Sequence, residues 1–294
     1  MDLKKWLNEN TESLLGKTVA LTGSTGGIGT ELCSYLASLG AGLILLNRSE
    51  AKTRSQIDEL LAVYPDACVD FIPLDLESED SVKSATEALE ARGIDVFIHN
   101  AGAYSIPRHK CKSGYDNVFQ INFASPYFMV KELLDSLRAR NGKVVIVGSI
   151  AHNYSHIDEK DIDFSTRRAA SKVYGNAKRY LMFSLFELFR TETDVSLAVT
   201  HPGITFTNIT SHYPKLIFAL IKHPMKVIFM KPRKAALSVL RGVFEGPQYL
   251  EWIGPRAFDV WGYPSKKLLR TASPDEIAKI CAIADEVYRK YKNS

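Results

Sequence analysis

The segment Thr22-Gly-Ser-Thr-Gly-Gly-Ile-Gly29 constrains this chain more than any other, because it joins an apolar strand to a helix. Residues 17–22 have the continuous apolar character of a buried strand, and residues 31–39 carry apolar side chains at helical spacing. Gly23, Gly27 and Gly29 fall between them in a G-x3-G-x-G pattern. Glycine permits the tight turn, lets backbone N–H groups approach a ligand, and lets the helix pack close to the strand. The helix start adds partial positive charge, so the junction suits a pyrophosphate, with Ser24, Thr25 and Ile28 also in the cradle. An ordinary glycine-rich turn has the same local appearance, and the rest of the chain must decide between them.

The 294 residues alternate short apolar strands with helical segments. Strands are predicted at 17–22, 42–46, 67–74, 95–100, 143–147 and 195–200, and helices near 27–39, 49–63, 78–91, 113–139, 171–190 and 233–244. Val144-Val-Ile-Val147 is apolar on both faces, as a covered parallel sheet requires. Alternation of this kind implies right-handed βαβ units and one α/β domain over 1–294, a doubly wound parallel sheet with helices on both faces. Residues 252–262 read as a last strand, and a terminal helix over about 274–291 starts after Ser273 as N-cap. Residues 3–15 have the pattern of a short amphipathic helix.

A net charge of +4, with lysine and arginine spread along the chain, offers no nucleic-acid surface. The four cysteines (Cys33, Cys68, Cys111, Cys281) stand far apart without metal-ligand spacing, which fits a reducing compartment and no metal centre. The N-terminus has no apolar signal core and no run is long enough to span a bilayer, so a cytoplasmic protein is expected.

In a doubly wound sheet, ligands bind beyond the carboxyl ends of the strands. The second strand ends in Asn47-Arg48. An acidic residue there would bond the ribose of NAD; Asn47 removes the repulsion of a 2′-phosphate and Arg48 can pair with it, which favours NADP. Arg48 facing water beside Glu50 is the bland alternative. The third strand ends at Asp75-Leu76, placed for an adenine amino group, and the fourth at Asn100-Ala-Gly102, small enough for close approach of a cofactor. The fifth ends in Gly148-Ser149, and Pro202-Gly203 with Thr207 follows the sixth.

Tyr174 and Lys178 stand four apart on one helix face. A neighbouring ammonium and a cationic nicotinamide are expected to lower the tyrosine pKa toward neutrality and make it a general acid/base. The same spacing recurs at Tyr127/Lys131, Tyr263/Lys267 and Tyr288/Lys292. Only Tyr174 begins a helix between a strand-end serine and another glycine-bearing strand end, so position selects it.

This ordered set resembles the short-chain dehydrogenase/reductase family over roughly residues 15–262, and most closely its retinol-dehydrogenase-type branch. The resemblance to the branch rests on Ile150-Ala-His152, the long interval between Ser149 and Tyr174, Val199-Thr200 running into His201-Pro-Gly203, and Trp261-Gly-Tyr-Pro264. It implies a Rossmann-type fold and a tetrad. Tyr174 exchanges the proton, Lys178 assists it and bonds the nicotinamide ribose, and Ser149 holds the substrate oxygen. Asn122 fixes a helix irregularity and a relay water. Two departures from the family pattern are His99 in place of the first of two asparagines and Gly148 in place of the first of two serines. His99 is expected to pack rather than touch cofactor. The 24 residues between Ser149 and Tyr174 read as a wall of the substrate site or as a solvated loop.

Residues 213–231 hold two apolar blocks, 216–221 and 227–230, separated by Pro224 and bordered by lysines. The resemblance implies a substrate lid over about 204–232, and the lysine borders also suit peripheral contact with anionic lipid. The family implies dimers or tetramers through the helices near 113–139 and 171–190, whereas a basic apolar lid suits a monomer at a membrane. The function expected is an NADP-dependent oxidoreductase that interconverts an alcohol and a carbonyl on an apolar substrate such as a steroid, retinoid or other isoprenoid, or lipid ketone. Alternatives are a carbon–carbon double-bond reductase and a non-catalytic NADPH-sensing or membrane-associated protein.

Overall fold

The computed structural model describes residues 2–204 and 230–294. Eight strands form one sheet in the order β3-β2-β1-β4-β5-β6-β7-β8. They are β1 (Thr18–Thr22), β2 (Gly42–Asn47), β3 (Val69–Pro73), β4 (Val96–His99), β5 (Lys143–Val147), β6 (Ser196–Thr200), β7 (Glu251–Ala257) and β8 (Trp261–Leu268). β1 through β7 run parallel and β8 returns antiparallel to β7. The order reverses between β1 and β4, which opens a crevice above their carboxyl ends.

Strand residues alternate between two cores, as a sheet covered on both sides demands. Ala20, Ile44, Phe97, Val144, Ile146 and Val199 face one core; Val19, Leu21, Leu43, Ile98, Val145 and Ala198 face the other. The helices are α1 (Leu3–Asn10), α2 (Gly27–Ser38), α3 (Glu50–Val63), α4 (Glu79–Arg92), α5 (Asn117–Phe119), α6 (Ser125–Arg138), α7 (Ala170–Leu188), α8 (Pro232–Phe244) and α9 (Pro274–Lys292). α3, α4 and α9 start on serine caps, Ser49, Ser78 and Ser273, whose hydroxyls accept backbone N–H groups. α2 starts at Gly26 with no side-chain cap, which leaves its first N–H groups available at the crevice.

Two regions depart from the sequence expectation. The expected single strand near 252–262 is a hairpin, because Phe258 and Asp259 take positive φ and turn the chain back after β7. Lysines and a proline on β8 (Pro264, Lys266, Lys267) protect this edge of the sheet. The expected continuous helix over 113–139 begins at Asn117 and is interrupted by a π-helical turn, Gln120–Ala124. The amphipathic N-terminal segment is α1, and it packs: Trp6 is 1% exposed and stacks on Tyr263 of β8 with ring centroids 6.1 Å apart. Trp6→Ala is therefore expected to cost about 3–5 kcal/mol in denaturant unfolding while the remaining helices persist. A loss below about 0.5 kcal/mol would show that α1 is dispensable.

Candidate active site

The glycine segment turns within van der Waals distance of its surroundings. The Gly23 N–H donates to the Leu46 carbonyl at 3.0 Å, and Gly23 takes φ +67°. A Cβ on Gly23 would stand 2.8 Å from Ala101 Cα, and one on Gly29 2.2 Å from the Gly23 oxygen. These contacts hold β1, the start of α2 and the end of β4 together around a cleft of about 730 Å³. Gly23, Thr25, Gly27, Ile28, Gly29, Asn47, Arg48, Asp75, Leu76, Asn100, Ala101 and Gly102 all line it. Ser24 does not: its hydroxyl turns inward, donating to Gln56 and accepting from Asn47 Nδ2, each at 2.7 Å. Asn47 also reaches Thr53 Oγ1 at 3.1 Å, so its side chain braces the loop from below. Arg48 is largely exposed and 3.8 Å from Glu77, a weak tie that leaves its guanidinium free to turn toward an anion.

Thr22, inside the quoted segment but with no role visible in the sequence, ties the two strand ends. Its Oγ1 accepts the N–H groups of Asn100 (3.1 Å) and Ala101 (3.0 Å). Its own hydrogen is then left for His99 Nδ1 at 3.1 Å, which places the imidazole proton on Nε2. His99 is fully buried, and burial with Lys178 nearby holds it neutral, well below the ordinary histidine pKa. It does not line the cleft and packs, as expected.

The four residues expected to carry the chemistry come together where the cleft ends. Gly102 joins the two: a Cβ there would lie 2.9 Å from Asn122 Oδ1 and 3.7 Å from Lys178 Nζ. Tyr174, near the start of α7, faces Ser149, whose hydroxyl opposes part of the rise in the tyrosine pKa, and Ser149 Oγ accepts the Ala151 N–H at 3.2 Å. Gly175 makes this approach possible, since a Cβ there would fall 2.2 Å from the Ala151 oxygen. Gly148 likewise leaves room for Met182 Sδ, 2.8 Å from where its Cβ would be. Lys178 is buried, donates to the Val147 carbonyl at 2.9 Å, and lies 5.7 Å from the Tyr174 ring centroid. Asn122 sits in the π-helical turn, where its amide donates to the Val118 and Ala103 carbonyls and accepts the Ala103 N–H. The side chain thereby satisfies a carbonyl of the preceding turn, which is the irregularity expected of this position.

The other three Tyr/Lys pairs are spent elsewhere: Lys131 pairs with Asp285, Lys267 with Asp259 and Lys292 with Glu132. Of the four pairs, only Lys178 has no carboxylate among the described residues.

The short chain dehydrogenase family matches residues 17–214. This chain belongs to that family. It is 29% identical over 290 residues to the dehydrogenase/reductase SDR family member FEY of Arabidopsis thaliana, covering 93% of this chain and 77% of that one. It is 29% identical to human retinol dehydrogenase 13 and 25% identical to human polyprenol dehydrogenase, covering 67% of this chain in each case and 61% and 63% of theirs. The chain thus spans less than two thirds of the length of several curated relatives that it matches. These relatives agree with the retinol-dehydrogenase-type branch. Among solved structures, a Mycobacterium Paratuberculosis protein shares the fold with a TM-score of 0.74 at 22% identity, covering 96% of both chains. The Pseudomonas aeruginosa RhlG/NADP complex follows at 0.60 and 22% identity, covering 79% of this chain and 91% of that one.

In this short chain dehydrogenase, burial among the protein's own groups pushes the Tyr174 hydroxyl up to about 12, against the smaller opposing effect of Ser149; the expected lowering rests also on the charge of a bound nicotinamide. Burial lowers Lys178 to about 7, and its amine donates to the Val147 carbonyl at 2.9 Å. A buried lysine with a lowered pKa destabilises the fold fully below pH 7, and the penalty fades as pH rises from 7 toward its ordinary 10.5. Lys178→Met is therefore expected to stop turnover yet raise stability at pH 6 by roughly 1–4 kcal/mol, with a smaller gain at pH 9. Equal gains at both pH values would contradict the shift.

Other residues expected near the site lie as follows. Pro202 and Gly203 follow β6, with Gly203 at φ +81° against the Val260 carbonyl of the β7–β8 turn. Thr207 and the lid segment over 205–229, with its suggested membrane contact, lie outside the described residues. No helix among the described residues is long and apolar enough to cross a membrane. The interval after Ser149 is tied down by Arg167–Asp158 and by Arg108, which pairs with Asp116 and bonds the Phe164 carbonyl. It is braced at these points, while Glu159, Lys160 and residues 165–169 are exposed to solvent. Sequence reading missed Tyr104, whose ring packs edge-on against Tyr174 at 5.3 Å, and Glu77, His109 and Cys111, which converge at the cleft mouth. An aromatic two residues beyond Gly102 was the available signal for Tyr104.

Proposed function

We propose that this chain is an NADP-dependent oxidoreductase that interconverts an alcohol and a carbonyl on an apolar small molecule. The observation that carries the reading is Lys178, buried without a carboxylate partner among the described residues and beside Tyr174, Ser149 and Asn122 at the inner end of the cleft. The cleft suits a dinucleotide on its own features: an uncapped α2 start, glycines that no side chain could replace at Gly23 and Gly29, and small residues at 100–102.

A bound nicotinamide supplies or takes the hydride. Around it, the Tyr174 hydroxyl holds the proton exchanged with the substrate oxygen, and the Ser149 hydroxyl is the second group within reach of that oxygen. Lys178 lies next to the point where Gly102 brings the cleft to Asn122, and so can bond the ribose end of the cofactor. Asn122 is braced by three hydrogen bonds, which keeps the turn below Lys178 rigid. The names of the relatives, a retinol and a polyprenol dehydrogenase, support an apolar substrate.

The direct test is NADPH oxidation followed by absorbance against steroid, retinoid and aliphatic ketones, with NADH in parallel. Turnover with NADPH on an apolar ketone supports the reading. NADPH binding with no turnover on any ketone would instead favour double-bond reduction or a sensor. Arg48→Ala is expected to weaken NADPH about 10- to 100-fold and NADH less than about threefold, the difference one charge-assisted phosphate contact makes. Equal weakening of both would remove Arg48 from cofactor selection.

A further inference from the structure

His152, in the 3-10 turn Ile150–Tyr154 just beyond Ser149, is fully buried and uses every polar atom it has. The Ser149 carbonyl is 2.6 Å from Nδ1 and can only accept, so Nδ1 carries the proton. Nε2 is then an acceptor, and the Thr271 hydroxyl donates to it at 2.9 Å. The backbone N–H of His152 also donates to the Ser149 carbonyl, at 3.1 Å. One side chain and one amide therefore clamp the peptide that carries the Ser149 hydroxyl. The ring is wedged edge-on between Phe183 and Trp252, with centroids 5.9 and 5.6 Å away, and burial holds its pKa down at about 4, so it stays neutral.

The far side of this clamp is anchored by the C-terminal helix. Arg179, the residue after Lys178, is 1% exposed and grips Glu276 of α9 through Nε at 2.7 Å and a terminal nitrogen at 2.6 Å. It also donates to the carbonyls of His152, at 3.0 Å, and Thr271. Ser273-Pro-Asp-Glu276 has the spacing of a capping box, in which the glutamate would turn back to its own cap. Here that carboxylate is given to Arg179 instead. The helix that bears Tyr174 and Lys178, the turn that bears Ser149, and the start of α9 thus meet in one hydrogen-bonded unit.

We propose that His152 is a positioning residue for Ser149, and that Thr271 and the Arg179–Glu276 pair make the docking of α9 a determinant of reaction-centre geometry. The inference rests on the reading of Ser149 as the hydroxyl that holds the substrate oxygen.

The test compares His152→Asn, His152→Gln, Thr271→Val and Ser149→Ala in the full chain, with NADPH and whichever ketone of the panel turns over fastest. An asparagine amide reaches the Nδ1 position and keeps a donor for the Ser149 carbonyl. A glutamine amide reaches the Nε2 position and loses that donor. His152→Gln is expected to lower kcat about 10- to 100-fold, with NADPH Kd and KM within about twofold, because a small misplacement of a reacting group costs that much. His152→Asn should keep kcat within about threefold, a rescue that packing alone does not explain. Thr271→Val, which keeps the side-chain shape but leaves Nε2 without its donor, should lower kcat about threefold and Tm by only a few degrees, and it decides the matter if His152→Gln does not fold. Wild-type kcat in His152→Gln or in Thr271→Val, or equal losses of kcat and Tm in both His152 variants, overturns the positioning role. If Ser149→Ala abolishes turnover while His152→Gln does not, this inference alone fails. If Ser149→Ala turns over normally, the reading of the reaction centre fails with it.

Discussion

Tyr174→Phe is expected to lower turnover by about 10²- to 10⁴-fold while NADPH binds within about threefold of wild type, the range in which a positioned proton donor acts. The substitution removes one oxygen and nothing else. The phenylalanine ring keeps the edge contact with Tyr104 and the face presented to Lys178. What disappears is the hydroxyl that faces Ser149. Because burial pushes that hydroxyl up to about 12, it carries its proton throughout the neutral range and is ready to donate to a carbonyl. Carbonyl reduction should accordingly vary little between pH 6 and 9. Alcohol oxidation needs the deprotonated form and should accelerate as pH rises, with the positive charge of the bound oxidised cofactor setting the pH at which the rise levels off. Stopped-flow hydride transfer in both directions across this range measures the asymmetry. Full activity in the phenylalanine variant would sink the assignment, and identical pH profiles in the two directions would sink the account of its pKa.

The second large effect is expected at Gly29. An added Cβ would meet the Gly23 oxygen at 2.2 Å and the Ser24 Cα and oxygen at 2.7 Å. All three are backbone atoms of the same turn, so no side chain can swing away to relieve the contact. The turn must open, and with it the cradle at the start of α2. Gly29→Ala should lower Tm by more than about 10 °C, several times the shift of a 1 kcal/mol change in a chain this long, and weaken NADPH more than about 100-fold. Gly26→Ala, three residues earlier, is the internal control. Its nearest neighbour would be the Gly23 oxygen at 3.4 Å, and its φ of −79° suits alanine. That variant should fold and bind NADPH nearly as wild type. If both alanine variants behave alike, the tight approach at Gly29 is not what holds the loop.

Much of this arrangement is local and so could be read along the chain. β5 spans Lys143–Val147 as its run of valine and isoleucine indicates, and the strand ends at Asn47, His99 and Val147 fall within a residue or two of expectation. Glycine placement, apolar runs and helical spacing are properties of a few adjacent residues, and they determined the α/β class, the dinucleotide-type turn and the order in which the site residues are delivered. Even the choice of Tyr174 among four Tyr/Lys pairs followed from its place between two strand ends. The structure adds the reason that this place differs, since the lysines of the other three pairs are held by Asp285, Asp259 and Glu132.

What pattern reading could not supply depends on partners distant in sequence. The π-helical turn at Asn122 is satisfied by Ala103, 19 residues away, and the Tyr174 hydroxyl is raised chiefly by burial, which spacing does not encode. Trp6 finds Tyr263 at the far edge of the sheet, and Arg179 finds Glu276 at a separation of 97 residues. Composition and periodicity carry no record of such pairings, because they arise only when burial removes water and each polar atom must take the partner that packing brings within reach. The sequence by itself thus determined the fold class and the residues offered to chemistry. The tertiary structure decided their protonation, their bracing and the elements that hold them in place.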